Sequence, residues 1–359
     1  MNADQDDVPD AAERPAGLLF GPGPAGAWDD ERVSGPRVLR GPEGTWRMWY
    51  YGRDTQFDRE INLPTGRCGL AQSADGLTWQ RVPGPLTGGA IFEAHPDPAR
   101  FDSAHVGLSD VQRRDGLDWM WYFGGDHSRQ TFGQFAVKGL NLRPGCAISR
   151  DGRHWSRVEG PYRGALLDLG APGEPDAALC AWPQVLECPD GVWRLWYHSL
   201  EPVRMRFVVC LAESADGLNW SKRGEVFGAG APGTFDGGGV GTRHVIHHDG
   251  RYLMFYEGVA ADGHRSIGLA TSQDGVLWVR QPGPEPDGSV FAHAPCASGR
   301  WDAFAVGTPC VVPMPDGGFR LYYVGSNETA GGFADEMAMR HRIGLALSDG
   351  PDYTRWHRW

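Results

Sequence analysis

The chain has 359 residues, 41% hydrophobic and 22% charged, and its 34 Lys plus Arg against 45 Asp plus Glu give a net charge of −11. That acidity excludes the basic face that a nucleic-acid or anionic-membrane partner requires, and no apolar run reaches the roughly 18 residues of a membrane-spanning helix. A content of 52 Gly, 27 Pro and 15 Trp points to short strands and many turns, hence an all-β chain.

Residues 1–16 carry five Asp or Glu and no apolar stretch. They read as a disordered acidic tail rather than a secretory signal, and residues 17–359 as one domain in the cytoplasm. Leu18-Leu19-Phe20 comes next, and then a pattern begins that recurs to the end of the chain. It opens on an aromatic residue or Pro followed by Asp, with Val nine positions later. These are Trp28-Asp29 with Val38, Phe101-Asp102 with Val111, Pro175-Asp176 with Val185, Phe235-Asp236 with Val245, and Trp301-Asp302 with Val311. An aromatic strand follows each: Trp46–Tyr51, Trp119–Phe123, Val192–Tyr197, Tyr252–Tyr256 and Phe319–Tyr323. Alternation of aromatic with polar residues is a strand signal. Then comes S-x-D-G-x-x-W, at Ser73–Trp79, Ser149–Trp155, Ser214–Trp220 and Ser272–Trp278, with a degenerate copy from Ser348-Asp349-Gly350 to Trp356. Asp-Gly supplies a hairpin turn, Ser and Asp bond its backbone, and Trp packs on a neighbouring sheet.

Each unit therefore holds four strands, and the repeat predicts an all-β, five-bladed β-propeller of four-stranded antiparallel blades. Internal units end in Ala90-Ile91-Phe92, Ala165-Leu166-Leu167, Val226-Phe227 and Val290-Phe291, whereas the last stops at Trp359. Leu18-Leu19-Phe20 supplies the missing piece, so residues 17–20 are expected to complete the last blade's outer strand and close the ring. The recurring Asp is expected to cap a loop in every unit. Loops at 53–67, 126–144 and 327–342 should overhang the mouth of a central funnel and leave a pocket for a small ligand. The seven cysteines include no C-x-x-C, so buried reduced thiols are expected rather than a disulfide framework or a zinc knuckle.

A site breaks symmetry, so the residues that depart from the repeat are the candidates. Eight positions after the recurring Asp stand Arg37, Asp110, Gln184, His244 and Cys310, and Asp110 is the only acid among them. Asp30 stands beside Asp29 in the first unit alone. Asp54, Asp126 and Glu201 end the second strands of the first three units, with His127, His198 and Glu257 near them, and His105 and Arg243 are unique at their positions.

The chain resembles the five-bladed propeller glycoside hydrolases, the arabinanase, levansucrase and invertase superfamily (families 43, 62, 32, 68 and 130). The likeness rests on the repeat, its turns and Leu108-Ser109-Asp110-Val111. It implies a glycosidase that works with three acids: a base or nucleophile, an orienting Asp, and a general acid. Asp110 matches the orienting Asp. Gly35 stands where the resemblance implies the base, and Ala181-Trp182 where it implies the acid. The nearest substitutes are Asp30 or Asp54 for the base and Glu201 for the acid. His105, Asp126, His127, His198, Arg243, His244 and Glu257 are then the expected substrate-binding residues, with a small glycoside or glycosylated metabolite as substrate. No metal or other cofactor is expected. The alternatives are a non-hydrolytic acid/base enzyme using the His, Asp and Arg set, metal-assisted in one version, and a non-catalytic sugar-binding propeller.

Overall fold

The computed structural model describes residues 15–41, 44–58, 63–132, 135–327 and 340–359, and the acidic tail up to residue 14 lies outside them. Strand β1 is Leu18–Phe20. Strands β2 (Arg32–Arg40), β3 (Trp46–Asp58), β4 (Leu63–Ser73) and β5 (Gln80–Val82) form an antiparallel sheet in that order. Next come β6 (His105–Arg114), β7 (Leu117–Gly125), the separate hairpin β8 (Arg129–Phe132) with β9 (Phe135–Lys138), β10 (Arg143–Ser149) and β11 (Ser156–Val158). The second sheet runs β6-β7-β10-β11. Strands β12 (Ala181–Glu187), β13 (Trp193–Glu201), β14 (Arg206–Ser214) and β15 (Ser221–Phe227) make the third.

The remaining strands are β16 (Gly239–His248), β17 (Arg251–Val259), β18 (Arg265–Ser272), β19 (Val279–Gln281), β20 (Ala305–Pro313), β21 (Phe319–Ser326), β22 (Arg342–Asp349) and β23 (Asp352–Arg358). They share one mixed sheet with β1, because the parallel pairing of Arg265 with Ala305 joins β18 to β20. On either side of that join the order is the same antiparallel run of four. The outer edge of β22 is covered in two pieces: β23 pairs with Ala346–Asp349 and β1 with Ile343 and Gly344. Phe20 of β1 packs edge-on against Tyr50 at 5.1 Å, as Phe92, Phe227 and Phe291 pack on Tyr122, Tyr256 and Tyr323 at 4.8 Å.

The repeated residues hold this β-propeller together. In each full S-x-D-G-x-x-W copy the Ser hydroxyl accepts the Gly N–H at 2.8–2.9 Å, and the Asp carboxylate accepts two further backbone N–H groups. The Gly at the turn has a φ of +74° to +76°, which a side chain disfavours. In three of the four copies its carbonyl accepts a hydrogen bond from an aromatic of another sheet: Trp49 to Gly152, Trp196 to Gly275 and Tyr322 to Gly76. The recurring Asp does not cap a loop. Buried Asp29, Asp102, Asp176, Asp236 and Asp302 each accept a Tyr hydroxyl at 2.6–3.1 Å from the second strand of their unit. Each also pairs with a cation from the fourth, namely Arg81, Arg157, Lys222, Arg280 and Arg358. A buried carboxylate is tolerated only with such partners, so this triad staples every unit from within.

The apolar cores lie between units. Trp49, Tyr51 and Leu70 pack with Val106, Met120 and Tyr122, and Cys310, Tyr322 and Leu345 pack with Val38, Met48 and Tyr50. Near the axis each first strand bonds the next in turn. Arg37 Nε donates to the Ser109 carbonyl, Asp110 accepts from Val185 N–H, Gln184 bonds both backbone groups of Val245, His244 Nδ1 accepts from Val311 N–H, and Cys310 Sγ accepts from Val38 N–H. The circuit thus returns to β2.

The stretch at 53–67 is largely the extended hairpin of β3 and β4, and 126–144 contains β8 and β9. Residues 328–339 of the third expected overhang lie outside the described residues.

Candidate functional site

A cavity of about 130 Å³ opens at the end of the funnel where the first strands begin. Its wall is built from equivalent positions of the repeat that carry different side chains. Three residues after the recurring Asp stand Arg32 and His105 on their first strands and Leu179 just ahead of β12. The residues after four of the five Asp-bound Tyr side chains are Tyr51, Phe123, His198 and Glu257, and these line the cavity. The starts of the third strands add Leu142, Phe207, Arg265 and His341.

Every first strand also shifts register at one place, just before the axial circuit. Such bulges re-aim side chains. They bring Trp182, Thr242 and Thr308 into the wall, and Trp182 and Thr308 do so at φ of +46° and +45°. Non-glycine residues there cost on the order of 1–3 kcal/mol each and cluster at functional sites.

The wall has two chemically distinct halves. One is apolar: Phe123, Leu140, Leu142, Leu179, Trp182 and Phe207, with Trp182 and Phe123 ring centres 4.3 Å apart. The other carries the guanidinium groups of Arg32, Arg53 and Arg265 beside Tyr51, His341 and Glu257. Burial, and next the charge of Arg32, lower Arg53 to about 9. Burial likewise lowers Arg32. Glu257 is held on both oxygens. Oε1 takes Arg265 at 2.7 Å, and Oε2 accepts the Thr242 hydroxyl at 2.9 Å and the Thr308 N–H at 3.1 Å. A Cβ at Gly307 would lie 2.0 Å from Oε2, so only glycine leaves room for this carboxylate.

Three imidazoles complete the wall, His105 and His198 buried and His341 half-buried, each with an Nδ1 that meets no protein partner. His105 Nε2 lies 2.6 Å from the Gly139 carbonyl, which only accepts, so Nε2 carries the proton and Nδ1 offers a lone pair. Burial, then Arg53, push His105 down to about 3. Burial, then Arg243, do the same to His198, whose ring lies on Phe207 at 4.4 Å. Burial, then Arg32, hold His341 well below the ordinary imidazole range. All three are neutral at pH 7.

Among the residues singled out in the sequence, His105, His198 and Glu257 line this cavity. Asp110 does not. It lies in the axial circuit, 3.4 Å from Arg37 Nε, and burial raises its pKa against the pull of that guanidinium. His244 belongs to the same circuit, and Arg243 donates to the carbonyls of Trp182 and Trp196. Asp30 accepts the N–H of Gly26 and of Thr55, and Glu201 those of Val203 and Arg204, so both close turns. Asp54 is buried at 3.5 Å from Arg67. Asp126 is buried against Arg163 at 2.8 Å; despite burial, the hydroxyl and N–H of Ser128 and the amide of Asn141 lower its pKa. His127 is exposed. The sequence reading missed Arg32, Arg53, Arg265, Tyr51, Trp182 and His341. The signal was there, because the residue after the recurring Tyr differs in every unit, and so does the residue three after the recurring Asp. Among the described residues, no three His, Cys, Asp or Glu side chains gather as a metal-holding group.

No family model matches the chain, and no curated protein sequence does. Solved structures do. A glycosyl hydrolase from Bacteroides ovatus superposes with a TM-score of 0.66 at 16% identity, over 99% of each chain. A member of the GH130 family, described as mannoside phosphorylases containing glycoside hydrolases that target β-1,2 mannosidic linkages in Candida mannan, gives 0.63 at 17% identity, over 96% of each chain. A thermostable family-43 glycoside hydrolase gives 0.61 at 15% identity, over 89% of this chain and 91% of its own. The fold of this chain is therefore the one on which these glycoside hydrolases are built.

Proposed function

Starting from a fold shared with glycoside hydrolases, we propose that this chain is a glycosidase-like enzyme for a small, anionic glycoside. We infer that the mixed sheet is two blades, that the propeller has five, and that β1 closes the ring within a single domain spanning 17–359. The seven unpaired thiols support a reducing, cytoplasmic setting.

The observation that carries the functional reading is the cavity's division into an apolar half and a half with three guanidiniums and one carboxylate. Guanidinium forks match carboxylate and phosphate oxygens and keep their charge when buried. Aromatic faces give sugar rings and apolar aglycones a platform. A substrate with an acidic group on its sugar satisfies both halves, while a neutral glycan satisfies only the apolar one. Glu257 is the one carboxylate of the described wall. Two-carboxylate glycoside cleavage needs a partner across the bond, and the described wall supplies neutral imidazoles instead. We therefore assign Glu257 to stabilising the positive charge that develops on the sugar ring, and the lone pair of His105 or His198 to accepting a proton.

The test is release of the aryl group from a panel of aryl glycosides, neutral sugars beside uronides, with Glu257→Gln alongside. The expected result is turnover of uronides, reduced about 100-fold or more in the variant. Equal turnover of neutral glycosides, or an unaffected variant, refutes the proposal. The lone wall carboxylate also favours a second reading, a non-hydrolytic acid/base enzyme on an anionic metabolite. Silence across the panel with thermal stabilisation by small carboxylates selects it.

A further inference from the structure

Outside the cavity, at the loop between β17 and β18, a second constellation stands on the surface. Cys296 opens a short turn ahead of β20 and is exposed, whereas the other six cysteines are buried, contrary to the expectation of seven buried thiols. Its Sγ lies 3.1 Å from His264 Nε2. The other ring nitrogen, Nδ1, lies 3.0 Å from Asp262 Oδ2. The imidazole is fixed further by stacking on His293 at 4.7 Å and by Phe304 at 4.6 Å. A nucleophile within reach of a base, with that base oriented by a third group, is the arrangement that activates cysteine for covalent chemistry. Asp262 accepts the Nδ1 proton, so Nε2 turns its lone pair to the thiol.

We propose that Cys296, His264 and Asp262 form a nucleophilic thiol site that exchanges with low-molecular-weight disulfides. His264 Nε2 takes the thiol proton. The thiolate attacks one sulfur of the disulfide, the new bond joins it to Cys296 Sγ, and the old S–S bond breaks. The departing thiolate recovers the proton from His264, so a mixed disulfide and one free thiol are formed with no other oxidant. The site is independent of the cavity and of the reading given to it.

The test uses the full chain and a chromogenic aromatic disulfide, dithiobis-nitrobenzoate, with the adduct located by mass spectrometry. One rapid equivalent at Cys296 is expected, and Cys296→Ser removes it. His264→Gln should slow it by about tenfold or more through loss of the base, with thermal melting unchanged. Asp262→Asn should slow it less. If His264→Gln unfolds, all seven thiols react and Asp262→Asn carries the test. Reaction of a folded His264→Gln variant at the wild-type rate overturns the proposal, and so does an adduct on a different cysteine.

Discussion

Asp110→Asn separates a structural acid from a catalytic one. The carboxylate is buried, 3.4 Å from the equally buried Arg37, and accepts the Val185 N–H at 3.1 Å and Gln112 Nε2 at 3.1 Å. Asn keeps the size and one acceptor oxygen but removes the charge. Removing one partner of a buried pair costs about 3–5 kcal/mol, because the other charge stays buried. Relief of the carboxylate's own desolvation, the main influence on its pKa, offsets this, so the net loss falls below that range. Urea denaturation should show that loss as a lower midpoint. Turnover per folded molecule should be unchanged, since the side chain is absent from the cavity wall. A variant as stable as the parent but without turnover would return Asp110 to the chemistry and refute this assignment of the wall.

Acid should weaken the fold through imidazoles that are buried or half-buried. His105, His198, His244 and His341 all have lowered pKa values, chiefly from burial. Their contribution is complete above the unfolded value near 6.5 and is lost as pH falls toward the folded values, because only the unfolded chain takes up protons. Each contributes a slope of about 1.4 kcal/mol per pH unit below about pH 6; a urea midpoint that stays flat from pH 7.5 to pH 5.5 contradicts it. Phe20→Ala removes the ring that lies under the Arg81 guanidinium at 4.2 Å and against Tyr50. It should cost about 3–5 kcal/mol, and a change under 1 kcal/mol in chemical denaturation would mean that β1 does not fasten the last strands. Gly307→Ala places a methyl on Glu257 Oε2. It should cut turnover of uronides about 100-fold, as Glu257→Gln does, while leaving the Cys296 reaction unchanged, and turnover at the parent rate counts against the role given to Glu257.

The repeat was legible because the same physical task recurs in every unit. A turn needs Asp-Gly and a packing Trp, and a first strand needs its Asp to hold Tyr and a cation. Strand order, the hairpin turns and the place of Leu18-Leu19-Phe20 beside β22 follow from that. The cavity wall was less legible because the register shift in each first strand leaves no mark in the spacing of the repeat. Asp110 and His244 lie beyond the register shift, two to five residues past the wall positions Thr242 and His105. At about 3.3 Å per residue that is about 7–16 Å, where the axis is narrow enough for side chains to bridge to the next strand. The rim acids lie apart from the wall for a different reason. Glu201 satisfies backbone N–H groups of its own turn, and Asp30 those of Gly26 and of Thr55 in β3, a structural need that spacing in the sequence cannot distinguish from chemistry.

The axial circuit is uneven, and the unevenness has a direction. Four of its links are made by a guanidinium, a carboxylate, an amide and an imidazole. The fifth, from Val38 N–H to Cys310 at 3.5 Å, is made by sulfur, a weak acceptor. That link joins the last first-strand to the first, the seam where chain ends meet. The molecule thus resembles a bracelet whose clasp is looser than its other joints. Opening fluctuations should begin there, so the Val38 amide should exchange its proton with solvent sooner than those of Val185, Val245 and Val311.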